Sequence, residues 1–340
     1  MRKAILAISF LSMGFSILAQ QADLDSAKHW TKIANQIIRR SPDSAVQLLQ
    51  AAADIYLAAG QDAALCRVYN GLAAAHIRRY DYQAAERHAK IGIAHGKKTI
   101  GTTHPVYINL LNNIGAIYRQ KGALSQALAS YKEALEIALG AEKLDRVSLS
   151  RLYNNIGIIY RRMGDPREAL NYFEAAYYQL SQSPQASPRQ LFSLGYASAR
   201  AYDDLGLFAQ ARQSMYASRP LIGEASTKSA KNWIKYAHRM ANLHLKEEVY
   251  DSVSYYLGQA DAMHQEFGPY RAQVSLDIRA ELALKKADWP TAEQYILQSM
   301  ALRTKEFAGL IKSPALAQSY QQLGDLYRET EQWQQADTAY

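Results

Sequence analysis

The chain repeats itself every 42 residues, and that period restricts the available folds more than any other feature. Residues 111–137, LNNIGAIYRQKGALSQALASYKEALEI, return as residues 153–179, YNNIGIIYRRMGDPREALNYFEAAYYQ, with 11 identities in 27 ungapped positions. A fixed period of this size marks a stacked array, in which each supersecondary unit buries its apolar face against the next. Function in such an array lies on an extended surface, so binding is expected rather than catalysis.

The register can be followed from one end to the other. With Gly115 as position 8 of its unit, small residues recur at the same step as Ala73, Gly157, Ala199 and Ala241. Position 20 reads Ala85, Ala127, Ala169 and Ala211, with Val253 as the enlargement. Units therefore start near residues 66, 108, 150, 192 and 234. Two more, with altered spacing, start near 273 and 317, the first carrying Ala280, Trp289, Ala292 and Ser299, the second Gly324, Tyr327, Trp333, Ala336 and Tyr340. Residues 20–65 read as degenerate first helices. There the helical pattern from Asp25 to Arg40 is broken at SPDSA: Pro42 forbids a continuous helix, Asp43 or Ser44 can cap the next one, and that helix should end near Gly60. Pro105, Pro188, Pro269 and Pro314 each stand just ahead of a unit's first position, where a first helical turn accepts proline.

The placement of Gly115, Tyr118, Gly122, Ala127, Tyr131 and Ala134 resembles the tetratricopeptide repeat. This resemblance implies an all-α, right-handed α-solenoid of stacked antiparallel helix pairs over residues 66–340. The ordinary unit has 34 residues. Lengthening both helices by about one turn absorbs the surplus and keeps the apolar stripe in phase. His104 and Pro105 ahead of LNNIGAIY make the units similar to the kinesin-light-chain type.

In arrays of this kind the first helix of each unit lines a concave groove. Position 5 then presents Asn70, Asn112, Asn154, Tyr196, His238, Asp277 and Gln321, and position 6 adds Asn113 and Asn155. An amide is both donor and acceptor, which suits the backbone of an extended peptide. For position 6, bonding within its own helix pair is an equal alternative. Arg67, Arg78, Arg119, Arg151, Arg161 and Arg162 fall in the first three long units, whereas Asp203, Asp204, Asp277, Glu281 and Asp325 come later. The groove is therefore expected to change sign. Its first half should suit an acidic or C-terminal peptide segment, since guanidinium forks match carboxylates. The plainer reading is a solvated charged face.

Composition narrows the rest. MRKAILAISFLSMGFSILAQQ has a basic start and an apolar run from Ala4 to Ala19, the pattern of a secretory signal peptide over residues 1–19. The run is shorter than the ~20 residues a bilayer needs, so an uncleaved anchor is the weaker reading. The array is thus expected in the periplasm or outside the cell, without membrane insertion of the mature segment. The formal charge of +8 falls to +6 once Arg2 and Lys3 leave, and no long run of lysine and arginine points to nucleic acid. Cys66 is the one cysteine, so no intrachain disulfide can form. No HExxH, GxSxG, Walker loop or GxGxxG occurs, and His88 and His95 stand two turns apart. No catalytic residue, cofactor or metal is therefore expected, and the segment is read as non-enzymatic.

A leader followed by repeats of this style resembles the N-terminal region of bacterial secreted proteins carrying a CHAT domain, a caspase-like peptidase fold. The resemblance implies that the repeats are the interaction arm of a larger protein. The last unit reaches Tyr340 partway through its second helix, which suits that expectation. SPDSA at 41–45 also suits periplasmic sensors whose repeats lead to a membrane helix and a kinase or DNA-binding domain. A free-standing envelope scaffold is the third possibility.

Overall fold

The computed structural model describes residues 21–141, 145–306 and 314–339; the leader read at residues 1–19 and the terminal Tyr340 lie outside them. Among the described residues there are helices and turns and no strands. The helices are α1 (21–37), α2 (Pro42–Ala58), α3 (Asp62–Arg78), α4 (Tyr82–Thr99), α5 (Pro105–Gln120), α6 (Leu124–Leu139), α7 (Arg146–Arg162), α8 (Pro166–Ser181), α9 (Pro188–Asp204), α10 (Phe208–Ser218), α11 (Ala230–Lys246), α12 (Tyr250–Phe267), α13 (Ala272–Lys285), α14 (Trp289–Glu306), α15 (Pro314–Glu329) and α16 (Trp333–Ala339). A short 3-10 turn, Arg219–Ile222, follows α10. The chain divides into two compact units, residues 1–186 and 187–340.

Each unit is a stack of antiparallel helix pairs, with α3, α5 and α7 as first helices in unit one and α9, α11, α13 and α15 in unit two. The first helices start one to four residues ahead of the expected boundaries, at Asp62, Pro105, Arg146, Pro188, Ala230, Ala272 and Pro314. That extension is the additional turn that a long repeat requires. Pro42, Pro105 and Pro188 occupy first-turn positions, where their missing N–H is not needed. Pro269 is a correction: it lies in the connection before α13, and Arg271, in left-handed conformation, precedes that helix. Ser41 rather than Asp43 or Ser44 stands at the start of α2, and it makes no side-chain cap. Asp43 is instead used in an ion pair with Arg79, at 2.8 Å.

The helix pairs close because their crossing points are small. Ala73, Ala85, Ala127, Ala169, Ala199, Ala211, Ala241 and Val253 have no exposed surface. The two glycines at position 8 face the two aromatic rings at position 24. A Cβ at Gly115 would stand 2.7 Å from the Tyr131 ring, and one at Gly157 would stand 2.7 Å from Phe173. Where position 8 is alanine, position 24 carries Ala89, Met215 or Leu257 instead. Volume is conserved across the crossing, as a close-packed interior demands. The turn that follows each first helix needs one left-handed residue. Gly122 and Gly164 supply it without strain, while Tyr80 and Glu248 adopt it despite a side chain.

Side-to-side contacts give each stack its curvature. First helices touch first helices, α3 with α5 and α5 with α7 in unit one, and α9 with α11 and α11 with α13 in unit two. No such contact joins α4 to α6 or α10 to α12. The first helices are therefore the more closely spaced layer, and their outer surface is the concave one.

Gly157→Ala should lose about 1–3 kcal/mol from overpacking against Phe173, more than the ~0.5–1 kcal/mol an alanine gains over glycine in a helix. Thermal unfolding should show a lower midpoint for Gly157→Ala and its recovery in Gly157→Ala with Phe173→Leu. An unchanged midpoint in the single variant would mean that the crossing is not close-packed.

Candidate functional site: the concave face of α3, α5 and α7

Three layers of residues line this face, set by position along the first helices. At the N-terminal end, Arg67 and Arg151 are exposed. Arg151 donates to Asn109 Oδ1 at 3.2 Å, one unit back, and to Ser148 Oγ at 2.9 Å. His104 caps α5 through Nδ1, which accepts from the Val106 N–H at 3.1 Å. Burial and the nearby Arg67 push the His104 imidazole below its usual range, keeping the neutral form that this cap requires.

The middle layer is the asparagine ladder, and its bonding differs from both expectations. Asn113 Nδ2 donates to Asn70 Oδ1 at 3.0 Å, and Asn155 Nδ2 donates to Asn112 Oδ1 at 2.8 Å. Position 6 thus reaches neither its own helix pair nor free solvent; it ties itself to position 5 of the preceding unit. Asn70 and Asn112 keep their own N–H groups, and Asn113 and Asn155 keep their carbonyl oxygens. Asn154 is the exception. Its 43-residue successor is Ala197, and among the described residues its half-buried amide makes no side-chain hydrogen bond.

The C-terminal layer holds four of the predicted arginines, Arg78, Arg119, Arg161 and Arg162. Arg162 donates to the Arg119 carbonyl oxygen at 3.3 Å, and burial, Arg119 and Arg161 together weaken the hold of Arg162 on its proton. Arg119 is half-buried beside Tyr131, whose phenol is pushed up to about 12, chiefly by burial. Arg78 is exposed at the end of α3. The face is therefore cationic at both ends with amides between.

Unit two departs from the expected acidic surface. Asp203, only 8% exposed, receives Arg239 Nη1 at 2.7 Å and Lys246 Nζ at 2.6 Å. Asp277 is bonded to Arg303 and to Ser299 Oγ, and Asp325 pairs with Arg328. Burial drives the Glu281 carboxyl above its usual range. Three of the five acids expected to set the sign of this face are thus met by cations, Asp203 and Asp277 by residues of neighbouring helices and Asp325 by Arg328 one turn on in its own helix, pairings that a charge count by segment does not register. His238, at position 5, is turned inward: it is 4% exposed, and its Nε2 lies 2.8 Å from Ser275 Oγ.

The sequence reading left the histidines unassigned. Between α3 and α4, His76 and His88 stack at 5.2 Å, and Tyr69 stacks on both His88 and His95, at 6.0 and 5.8 Å. Burial lowers the affinity of His76 and His88 for protons, so they act as packed aromatic rings. Among the described residues no group of three or more His, Cys, Asp or Glu side chains could hold a metal ion, and no helix is long and apolar enough to cross a membrane.

The tetratricopeptide repeat family model matches residues 64–140 and 108–177, from within α3 to within α8. Those residues form tetratricopeptide repeats. The fold is similar to several solved structures. A tetratricopeptide repeat protein from Parabacteroides merdae is 19% identical, with a TM-score of 0.55 over 81% of this chain and 90% of its own. Aspartyl phosphate phosphatase F from Bacillus subtilis is 12% identical, with a TM-score of 0.64 over 86% and 73%. PilF from Pseudomonas aeruginosa is 17% identical, with a TM-score of 0.50 over 73% and 98%. At such identities the likeness is one of fold. No curated protein matches the chain in sequence.

His238 makes a pH prediction for unit two. Burial first, then His264, Arg271 and Arg279, lower its pKa to about 3. A histidine depressed in the folded state is stabilising above its unfolded pKa of ~6.5, and this contribution is lost as pH falls toward the folded value. Between pH 7 and pH 5 the His238 contribution should fall by about 2 kcal/mol. Urea unfolding at the two pH values should show a correspondingly smaller difference for His238→Gln than for the unaltered protein.

Proposed function

We propose that the chain is a protein-binding scaffold, and that the concave face of α3, α5 and α7 takes an extended, acidic segment of its partner. The tetratricopeptide-repeat fold binds protein partners. The observation that carries the reading is the cluster of Arg119, Arg161 and Arg162. Burial first, and then the neighbouring Arg119 and Arg161, disfavour the charged form of Arg162. A carboxylate between them would remove that cost through bidentate hydrogen bonds. Asn154 offers an unengaged amide about two turns from Arg161 on the same helix, where a peptide backbone could dock.

The export of the chain rests on its leader sequence, and its reading as the arm of a larger CHAT-type protein rests on leader and repeat style together. SPDSA at residues 41–45 supports the alternative of a periplasmic sensor arm. Both readings use the repeats in the same way, as the part that captures a partner. The segment itself has a binding role in either case.

The test uses a defined probe. A fluorescein-labelled decapeptide alternating glutamate and glycine should bind saturably by anisotropy, and the affinity should fall as salt is raised. Arg119→Glu combined with Arg161→Glu should weaken it at least tenfold, whereas Lys97→Glu on α4 should change it little. Equal affinity for the double variant and the unaltered protein would remove the proposal.

A further inference from the structure

The concave face of unit two carries a second cationic cluster, formed by α9, α11 and the residue that leads into α13. Its floor is made of two half-buried side chains, Tyr196 on α9 and Lys235 on α11. Its rim is made of exposed groups: Arg189 at the start of α9, Lys231 one turn before Lys235, and Arg271. The first helices α9, α11 and α13 touch in that order, which brings these residues to one surface.

The cations of this cluster lack the carboxylate partner that several cations on the neighbouring helices have. Arg239, Lys246, Arg279 and Arg303 each meet an aspartate. Among the described residues Arg189, Lys231, Lys235 and Arg271 take part in no ion pair, although Lys231 Nζ lies 5.2 Å from the centre of the Tyr270 ring. The groups that bear most on Lys235, besides burial, are Tyr196, Arg271, Arg189 and Lys231; one is a phenol and the rest are cations. Tyr196 is in the converse position. Burial alone would raise its pKa, but Arg239, Arg200 and Arg271 outweigh burial and lower it. Arg239 also lies over its ring, 5.4 Å from the centroid. A phenol made more acidic in this way is a better hydrogen-bond donor to an anion. Burying an ammonium among other cations costs free energy unless a counter-charge arrives.

We propose that Tyr196, Lys235 and Arg271, with Arg189 and Lys231 at the rim, form a site for a dianionic phosphate group. A single carboxylate brings one charge and two oxygens, too few for this set. A phosphate monoester brings close to two charges and three acceptor oxygens, enough for the Lys235 ammonium, the Arg271 fork and the Tyr196 hydroxyl together. The same chemistry comes from a phosphorylated side chain or from free phosphate. The site lies wholly in unit two and is independent of the acidic-segment reading of unit one.

The experiment is calorimetric titration of the full chain at fixed ionic strength with three probes: inorganic phosphate, a phosphoserine hexapeptide and the same hexapeptide with glutamate in place of phosphoserine. Saturable one-site binding is expected, with Kd near or below about 1 mM. Lys235→Ala with Arg271→Ala should weaken it at least tenfold at an unchanged helical circular-dichroism signal, and the milder Arg189→Ala with Lys231→Ala should weaken it less. Arg119→Glu with Arg161→Glu should leave it intact, which separates failure here from failure of unit one. Tighter binding of the phosphopeptide would mark a partner-borne phosphate, and equal binding would mark free phosphate. Three outcomes would overturn the proposal: no saturable heat, undiminished binding by the Lys235 and Arg271 variant, or a glutamate peptide that binds as tightly as the phosphopeptide.

Discussion

The close approach of paired helices at position 8 is the constraint on which the rest of the structure depends. Gly115 under Tyr131 and Gly157 under Phe173 leave no room for even one methyl group. With the two helices of a unit locked at that distance, the next first helix has one place to pack, against the pair behind it. The face formed by α3, α5 and α7 therefore follows from a packing choice made on its opposite side. The side chains on the groove do not create its curvature. They occupy a surface that the small residues have already shaped.

The asparagine ladder joins that packing to function. A hydrogen bond from position 6 to position 5 of the preceding unit fixes the register of neighbouring first helices to within the reach of one amide. Each such bond contributes roughly 1 kcal/mol. It also consumes only part of each amide, so the same residues hold the array and still present donors and acceptors to a ligand. Arg151 with Asn109 repeats the device one turn earlier, and Arg162 with the Arg119 carbonyl repeats it at the other end. Offsets of 42 or 43 residues recur because they are set by the period itself. In unit two the device becomes ionic, with Arg239 and Lys246 on Asp203.

The helical repeat, its first and second helices and its buried small residues were legible in the sequence, because a 42-residue period with alanine or glycine at two fixed positions leaves little freedom. The first-turn prolines at 105 and 188 were legible for the same reason, and Pro269 was not, because an altered spacing after α12 moved the helix start to Ala272. The groove was only half legible. Helical spacing placed Asn70, Asn112 and Asn154 on one face, but their bonding partners lie one period away, and a list read within one unit omits them. The cross-step pairing of Asn with Asn at 43 residues could have been found by comparing position 5 with position 6 of the next unit. Charge was the least legible property. Asp203, Asp277 and Asp325 counted as a negative face, yet each is met by a cation from a neighbouring turn or helix. Among the described residues of that unit, Arg189, Lys231, Lys235 and Arg271 are cations on the first-helix face that meet no carboxylate, and a segment-by-segment count had passed over them.

The central claim is that the concave face of α3, α5 and α7 is the binding surface. A crystal structure of the chain with the glutamate–glycine decapeptide tests it most directly. The account predicts an extended peptide crossing the three helices, with its backbone within hydrogen-bond distance of Asn154 and a carboxylate between Arg119 and Arg161. A peptide seated on the second helices α4, α6 and α8, or confined to the N-terminal rim at Arg67 without contact to the ladder, would contradict it.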